Sequence, residues 1–155
     1  MFSRDDHREA LLKCFPAIQL NESVVAPRRR QDFDGMVQDG QTWLDLNERI
    51  QLDEDVMWDL TPVGLTQLLP AYLCILADPV KADVLVDHVT SGLLHIFDQM
   101  GNEIKTVFTP MQVQCLDHCL NSLLDQYQSL EQKDYGDVVK KLKQIITNVS
   151  ALHIN

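Results

Sequence analysis

The sequence predicts an all-α fold, a single-domain bundle of five or six helices over residues 1–155 with one helix kinked at Pro70. Two observations lead to this prediction: apolar residues recur at helical spacing along most of the chain, and no segment shows the alternation of a strand. The 155 residues are 45% hydrophobic and 23% charged, which is typical of a globular domain. Residues 16–42 hold Pro16 and Pro27 and are expected to be rich in loop.

Three helices are predicted to start where a capping residue precedes a proline, at Thr61-Pro62, Asp78-Pro79 and Thr109-Pro110. The Thr or Asp oxygen accepts a backbone N–H at the start of the helix. The proline loses nothing at the first helical position, because its missing N–H would be unpaired there. Gly101 follows the apolar stripe of the helix predicted to start at Asp78-Pro79 and is predicted to end that helix. Pro70 lies inside the helix predicted to start at Thr61-Pro62 and is expected to kink or split that helix.

The two ends of the chain and a short segment between them complete the predicted helices. Residues 5–15 are predicted to form a short helix that Pro16 stops. Residues 138–152 carry apolar side chains at helical spacing, with lysines on the opposite side. Thr42 is predicted to cap a helix that begins at Trp43.

The chain is acidic, with a net charge of −10 at pH 7. Direct binding of DNA or RNA is therefore not expected, because nucleic acid repels an acidic surface. The longest apolar runs are too short for a bilayer span, which needs about 20 residues, so no membrane contact is expected. No apolar signal stretch follows Met1, and a cytoplasmic location is predicted.

The four cysteines are candidates for metal or redox chemistry, and they are Cys14, Cys74, Cys115 and Cys119. None of them forms a C-x-x-C pair, and each lies among apolar residues. Such thiols act as small hydrophobic side chains in or near the core of a protein from a reducing compartment. However, Cys115, His118 and Cys119 lie within one helical turn, and thiolates and imidazoles are zinc ligands. One turn rarely supplies three ligands in tetrahedral geometry, so no metal is predicted there.

A second candidate cluster is the pair His88 and His95, which are seven residues apart and lie near Asp83 and Asp87. Such a row is able to bind a metal or to act as an acid–base pair. The simpler interpretation is that His88 lies beside the apolar stripe as a partly buried histidine. Catalytic motifs such as G-x-S-x-G, the P-loop and H-E-x-x-H do not occur in the sequence. We therefore expect no enzyme, no catalytic residue and no cofactor.

The segment 31–60 is the strongest functional lead, because it holds nine acidic groups against one arginine, a net charge of −8. Carboxylates speed the capture of a basic partner, and exposed aromatic side chains are good contact anchors. The predicted partner-binding residues are Asp45, Glu48, Asp53, Glu54, Asp55, Asp59, Trp43 and Trp58. The alternative is a solvated acidic face with both tryptophans packed inward. The run Arg28-Arg29-Arg30 is also placed to pair with this segment within the chain, and such pairing would weaken the case for a partner-binding surface.

Several short motifs, taken in order, resemble a family of uncharacterised small bacterial proteins over roughly residues 40–127. The motifs are Trp43-Leu44-Asp45-Leu46, Trp58-Asp59-Leu60-Thr61-Pro62-Val63-Gly64, Leu68-Leu69-Pro70-Ala71-Tyr72-Leu73, Asp78-Pro79 and Phe108-Thr109-Pro110-Met111-Gln112. The chain departs from the family at Gln67 and Leu68, where the relatives tend toward aromatic residues. The resemblance implies a helical fold and no particular reaction, since the shared residues are caps, a proline and core aromatics.

Size, charge and the absence of motifs together favour a non-enzymatic binding protein that masks a basic protein partner. In bacteria, such a small acidic helical protein is typically an immunity protein that neutralises a toxin. One alternative is a metal-binding or catalytic protein that uses one of the two histidine and cysteine clusters. Another alternative is a homo-oligomer or a phage-derived adaptor, which would bury Trp43 and Trp58 between like subunits.

Overall fold

The fold was obtained as a computed structural model, which describes residues 4–28, 41–46, 58–78, 85–130 and 135–152. These ranges contain seven α-helices: α1 (Arg4–Cys14), α2 (Trp43–Leu46), α3 (Pro62–Leu76), α4 (Val86–Gln99), α5 (Gly101–Val107), α6 (Pro110–Gln128) and α7 (Gly136–Ala151). A 3₁₀ turn lies at Glu22–Val24. Extended pairing within the described ranges is limited to an isolated antiparallel bridge between Val25 and Leu60. The all-α prediction is therefore confirmed.

The described ranges contain seven helices, whereas the sequence predicted five or six. The additional helix is α5. Helix α4 ends at Gln99, with Met100 as its C-cap. Gly101 follows but does not adopt the left-handed conformation of a glycine cap, and it starts α5 instead. The prediction that Gly101 ends a helix was therefore wrong about its role, because Met100 makes the turn between the two helices with φ of −117° and ψ of 17°.

Helix α3 forms the centre of the molecule. Every residue from Leu68 to Leu76 is buried, as expected of a helix that is apolar on all sides. It packs against α1, α2, α4, α5 and α6. The helix continues through Pro70 to Leu76, so the proline does not split it.

The start of α3 is capped as predicted and also holds a distant part of the chain. The Thr61 hydroxyl oxygen accepts the Gly64 N–H at 2.9 Å, and the hydroxyl donates to the Ser23 carbonyl at 2.8 Å. The Thr61 N–H donates to the Val24 carbonyl at 3.0 Å. A Cβ atom on Gly64 would overlap this carbonyl, since it would lie 2.6 Å from the Val24 carbonyl carbon. The close approach of the two backbones therefore requires glycine at position 64.

The end of α3 is satisfied by two side chains of α6. The Tyr127 hydroxyl donates to the Leu76 carbonyl at 2.6 Å, and the Gln126 Nε2 donates to the Ala77 carbonyl at 3.0 Å. The last carbonyls of a helix have no partner within it. These two buried bonds therefore supply the donors that water supplies at an exposed helix end.

Helix α6 begins with the predicted Thr-Pro start. The Thr109 hydroxyl oxygen accepts the Gln112 N–H at 3.1 Å, and the Gln112 Oε1 accepts the Thr109 N–H at 3.0 Å, so the two residues form a capping box. The Gln112 Nε2 also donates to the Cys14 carbonyl at 3.2 Å, which ties this helix start to the end of α1. The third predicted start, Asp78-Pro79, extends outside the described residues. Helix α4 begins at Val86 with Leu85 as its N-cap, so the prediction that this helix starts at Asp78-Pro79 was wrong.

Replacement of Gly64 by alanine is expected to destabilise the fold by about 3 kcal/mol, because the new methyl group would overlap backbone atoms that cannot rotate away. The measurement is the free energy of unfolding from urea titration. Gly101→Ala is the matched control, since a Cβ at Gly101 meets no atom within 4 Å. The control is expected to be neutral or to stabilise the chain by up to about 1 kcal/mol. Equal effects of the two substitutions would contradict the close approach at Gly64.

Candidate functional site

Residues 58–60 are the described carboxyl-terminal end of the acidic segment 31–60. They carry an exposed tryptophan followed by a largely buried carboxylate. Trp58 is 42% exposed, and its ring contacts the ring of His95 at a centroid distance of 4.5 Å and an angle of 51°. The side chain of Asp59 is only 10% exposed and accepts a hydrogen bond from the guanidinium of Arg28, which is 77% exposed. Two consecutive residues therefore present an aromatic surface and a carboxylate that binds a guanidinium.

The local fold explains why these groups meet. Leu60 is buried and pairs with Val25 in the isolated bridge. The Ala26 N–H donates to the Asp59 carbonyl at 2.8 Å. The two segments therefore run side by side, which brings Arg28 to the carboxylate of Asp59. The sequence predicted that the basic run pairs with the acidic segment, and the contact of Arg28 agrees with this prediction.

The other predicted contact residues fall into different environments. Trp43 is fully buried, and its Nε1 donates to the Phe15 carbonyl at 3.1 Å. Its assignment to a contact surface is therefore corrected: Trp43 is a core residue with a satisfied N–H. Asp45 is exposed, and its carboxylate accepts the Thr42 N–H at 2.8 Å, at the start of α2. The remaining predicted residues, Glu48, Asp53, Glu54 and Asp55, lie outside the described part of the chain.

The histidines of α4 have separate surroundings. His95 is exposed and supports the ring of Trp58, a role that the sequence did not indicate because the two residues are on different elements. His88 is half-buried. Among the described residues, no three His, Cys, Asp or Glu side chains are grouped so that they could hold a metal ion. Asp83, the acidic residue predicted to lie near this pair, falls outside the described residues.

The cysteines of α6 face α1. The Cys119 thiol lies 3.3 Å from the Nδ1 of His7, and the Cys115 thiol donates to the Ala10 carbonyl at 3.7 Å. His118, the third member of the predicted cluster, is exposed. The partner of Cys119 is thus a histidine 112 residues away in sequence, a pairing that local spacing does not reveal.

Burial keeps this thiol–imidazole pair neutral. It lowers the pKa of His7 below the usual 6.5 and raises the pKa of Cys119 well above its usual value. Burial and the neighbouring Cys14 thiol raise the pKa of Cys115 to about 12. A nucleophilic or metal-binding cysteine needs a lowered pKa, because the thiolate is the reactive form. The arrangement is therefore suited to a structural hydrogen bond between α1 and α6.

Comparison with known proteins gave no match to any family model, to any curated protein or to any solved structure. The resemblance to a family of small bacterial proteins therefore stays a prediction. Within the described residues, none of the helices combines the length and the apolar character that are needed to cross a membrane.

The burial of His7 predicts a loss of stability in acid. Between pH 6.5 and the lower pKa of His7 in the folded chain, the unfolded chain binds a proton at His7 and the folded chain does not. The free energy of unfolding should therefore fall as the pH falls from 7.5 to 5.5, and His7→Gln should reduce this fall. Urea titrations at both pH values measure this fall, and His95→Gln, at an exposed histidine of α4, is the control. An unchanged pH dependence in His7→Gln would show that His7 is not the group responsible.

Proposed function

We propose that this chain is a non-enzymatic acidic protein that binds a basic protein partner and masks its cationic site. The observation that carries the proposal is the exposed Trp58 at the end of the acidic segment, where residues 31–60 have a net charge of −8. Tryptophan is among the residues that contribute most to protein interfaces when it is buried by a partner. The carboxylates of this segment attract a basic surface and increase its rate of association.

The proposed mechanism is steric and electrostatic, with no turnover. Carboxylates of the acidic segment occupy a cationic site on the partner, such as the substrate site of a nuclease-like or nucleotide-using enzyme. Trp58 packs against the rim of that site and excludes water. The biological setting that fits best is the bacterial cytoplasm, where an immunity-type protein of this size neutralises a toxin.

A second candidate function is a homo-oligomer or a phage-derived adaptor. The exposure of Trp58 and of Val63, 42% and 49% respectively, favours it, because large apolar side chains become buried when like subunits associate. A mass that rises with concentration in solution, together with loss of the oligomer in Trp58→Ala, would select this function. A constant monomer mass would exclude the homo-oligomer.

The masking function predicts a basic partner that is held by charge. Tagged protein is incubated with lysate of the native host at about 50 mM and about 500 mM salt, a range over which surface charges become screened. Reversal of Asp53, Glu54 and Asp55 to lysine should reduce capture of the basic protein at low salt at least tenfold, roughly the lower end of electrostatic steering.

The matched control reverses three exposed acidic residues outside this segment to lysine, Glu9 on α1, Glu103 on α5 and Asp125 on α6. This control changes the net charge by the same amount and should retain most of the capture. Equal loss in both triple variants would assign the binding to net charge alone. Absence of any basic partner at either salt concentration would contradict the proposed function.

A further inference from the structure

Two of the four cysteines meet where α1 packs against α6. The Cys115 thiol donates to the Ala10 carbonyl at 3.7 Å, and the Gln112 Nε2 donates to the Cys14 carbonyl at 3.2 Å. The later residue of α1 thus pairs with the earlier residue of α6, so the two helices run antiparallel. Cys14 lies one turn after Ala10, and Cys115 lies about one turn after Gln112. The thiols of Cys14 and Cys115 therefore face each other, within hydrogen-bonding contact.

The surroundings of this pair differ from those of the other two cysteines. Cys74 and Cys119 are buried, whereas Cys14 and Cys115 are partly exposed. Cys119 also has the imidazole of His7 as a neighbour. Oxidation of a cysteine depends on access from solvent, and a second thiol beside it directs the product to a disulfide. A small oxidant therefore reaches Cys14 and Cys115 before it reaches the buried thiols.

We propose that Cys14 and Cys115 form a reversible disulfide on exposure to hydrogen peroxide, and that this bond locks α1 onto α6. The inference is independent of the proposed function. In the first step the Cys14 sulfur attacks the O–O bond of the peroxide, which gives a sulfenic acid and one water. In the second step the Cys115 sulfur displaces the sulfenic hydroxyl, which leaves as water with the Cys115 proton. Two thiols are thereby oxidised and one hydrogen peroxide is reduced to two waters.

The two steps are assigned to different sulfur atoms because of their surroundings. Burial and the neighbouring Cys14 thiol raise the pKa of Cys115 to about 12, so Cys115 keeps its proton at neutral pH. The thiolate is the form that attacks an oxidant, which makes Cys115 a poor first nucleophile and leaves that step to Cys14. Cys115 then acts on a sulfenic acid held beside it, where proximity offsets its low reactivity.

The disulfide is expected to stabilise the folded chain. It would join positions 14 and 115 and close a loop of about 100 residues. A disulfide stabilises mainly by restricting the unfolded chain, and its effect grows with the length of the loop. Since the two thiols already contact each other in the folded chain, oxidation should raise the urea midpoint of unfolding by about 1–2 M. A thiol reductant should restore the original midpoint.

The test treats the full chain, with its thiols reduced, with a small excess of hydrogen peroxide. The remaining thiols are blocked with N-ethylmaleimide in urea, and the digested chain is mapped by tandem mass spectrometry. The expected product is a monomer that links Cys14 to Cys115 and carries the blocking group on Cys74 and Cys119. Cys115→Ser should abolish the link, whereas Cys119→Ser, one turn further along α6, is the matched control and should retain it. Both variants require an unchanged helical circular dichroism spectrum, and the map of the wild-type chain tests the inference independently of them.

The possible products separate the inference from its alternatives. A link between Cys14 and Cys115 together with a higher urea midpoint supports the reversible disulfide. A link that includes Cys74 or Cys119, a link between two chains, or oxidation of Cys14 to a sulfinic acid without a link overturns it. Four thiols that all remain open to the blocking reagent overturn it as well. A link between Cys14 and Cys115 that does not raise the midpoint contradicts the claim that the bond locks α1 onto α6.

Discussion

The second half of α3, Leu68 to Leu76, is buried on all sides, so the polar groups at the ends of this helix depend on the rest of the chain for partners. The first N–H groups and last carbonyls of a helix have no partner within it, and each one left buried and unpaired costs about 1–3 kcal/mol. At the start, Thr61 supplies an acceptor and Pro62 removes a donor. At the end, Gln126 and Tyr127 supply donors from α6.

This constraint also positions the candidate site. The Thr61 N–H and hydroxyl hold the carbonyls of Ser23 and Val24, and Gly64 leaves room for that segment to cross the start of α3. The same crossing places the Ala26 N–H on the Asp59 carbonyl. The surface at Trp58 and Asp59 is therefore an extension of the contacts that satisfy the central helix. Motif residues that the sequence suggested as a family signature have a structural role in this arrangement.

Features that depend on residues close together in the sequence were predictable, whereas contacts between distant residues were not. The caps at Thr61 and Thr109 were predictable because donor and acceptor lie three residues apart. An inward-facing Trp43 was one of the two sequence interpretations, but its hydrogen-bond partner was not predictable, because the Phe15 carbonyl lies 28 residues away. The pairing of Cys119 with His7 spans 112 residues and was missed for the same reason. Of the candidate site, the sequence indicated Trp58, Asp59 and the nearby basic run, whereas the support from His95 depends on tertiary packing.

The central claim is that α3 is stable only as part of the whole fold, because both its ends are satisfied by distant segments. Native-state hydrogen exchange of the backbone amides from Leu73 to Leu76 tests this claim most directly. We predict that these amides exchange only through global unfolding, with the free energy that urea titration gives. Exchange of these amides by local opening, at a lower free energy than the amides in the middle of α7, would contradict it.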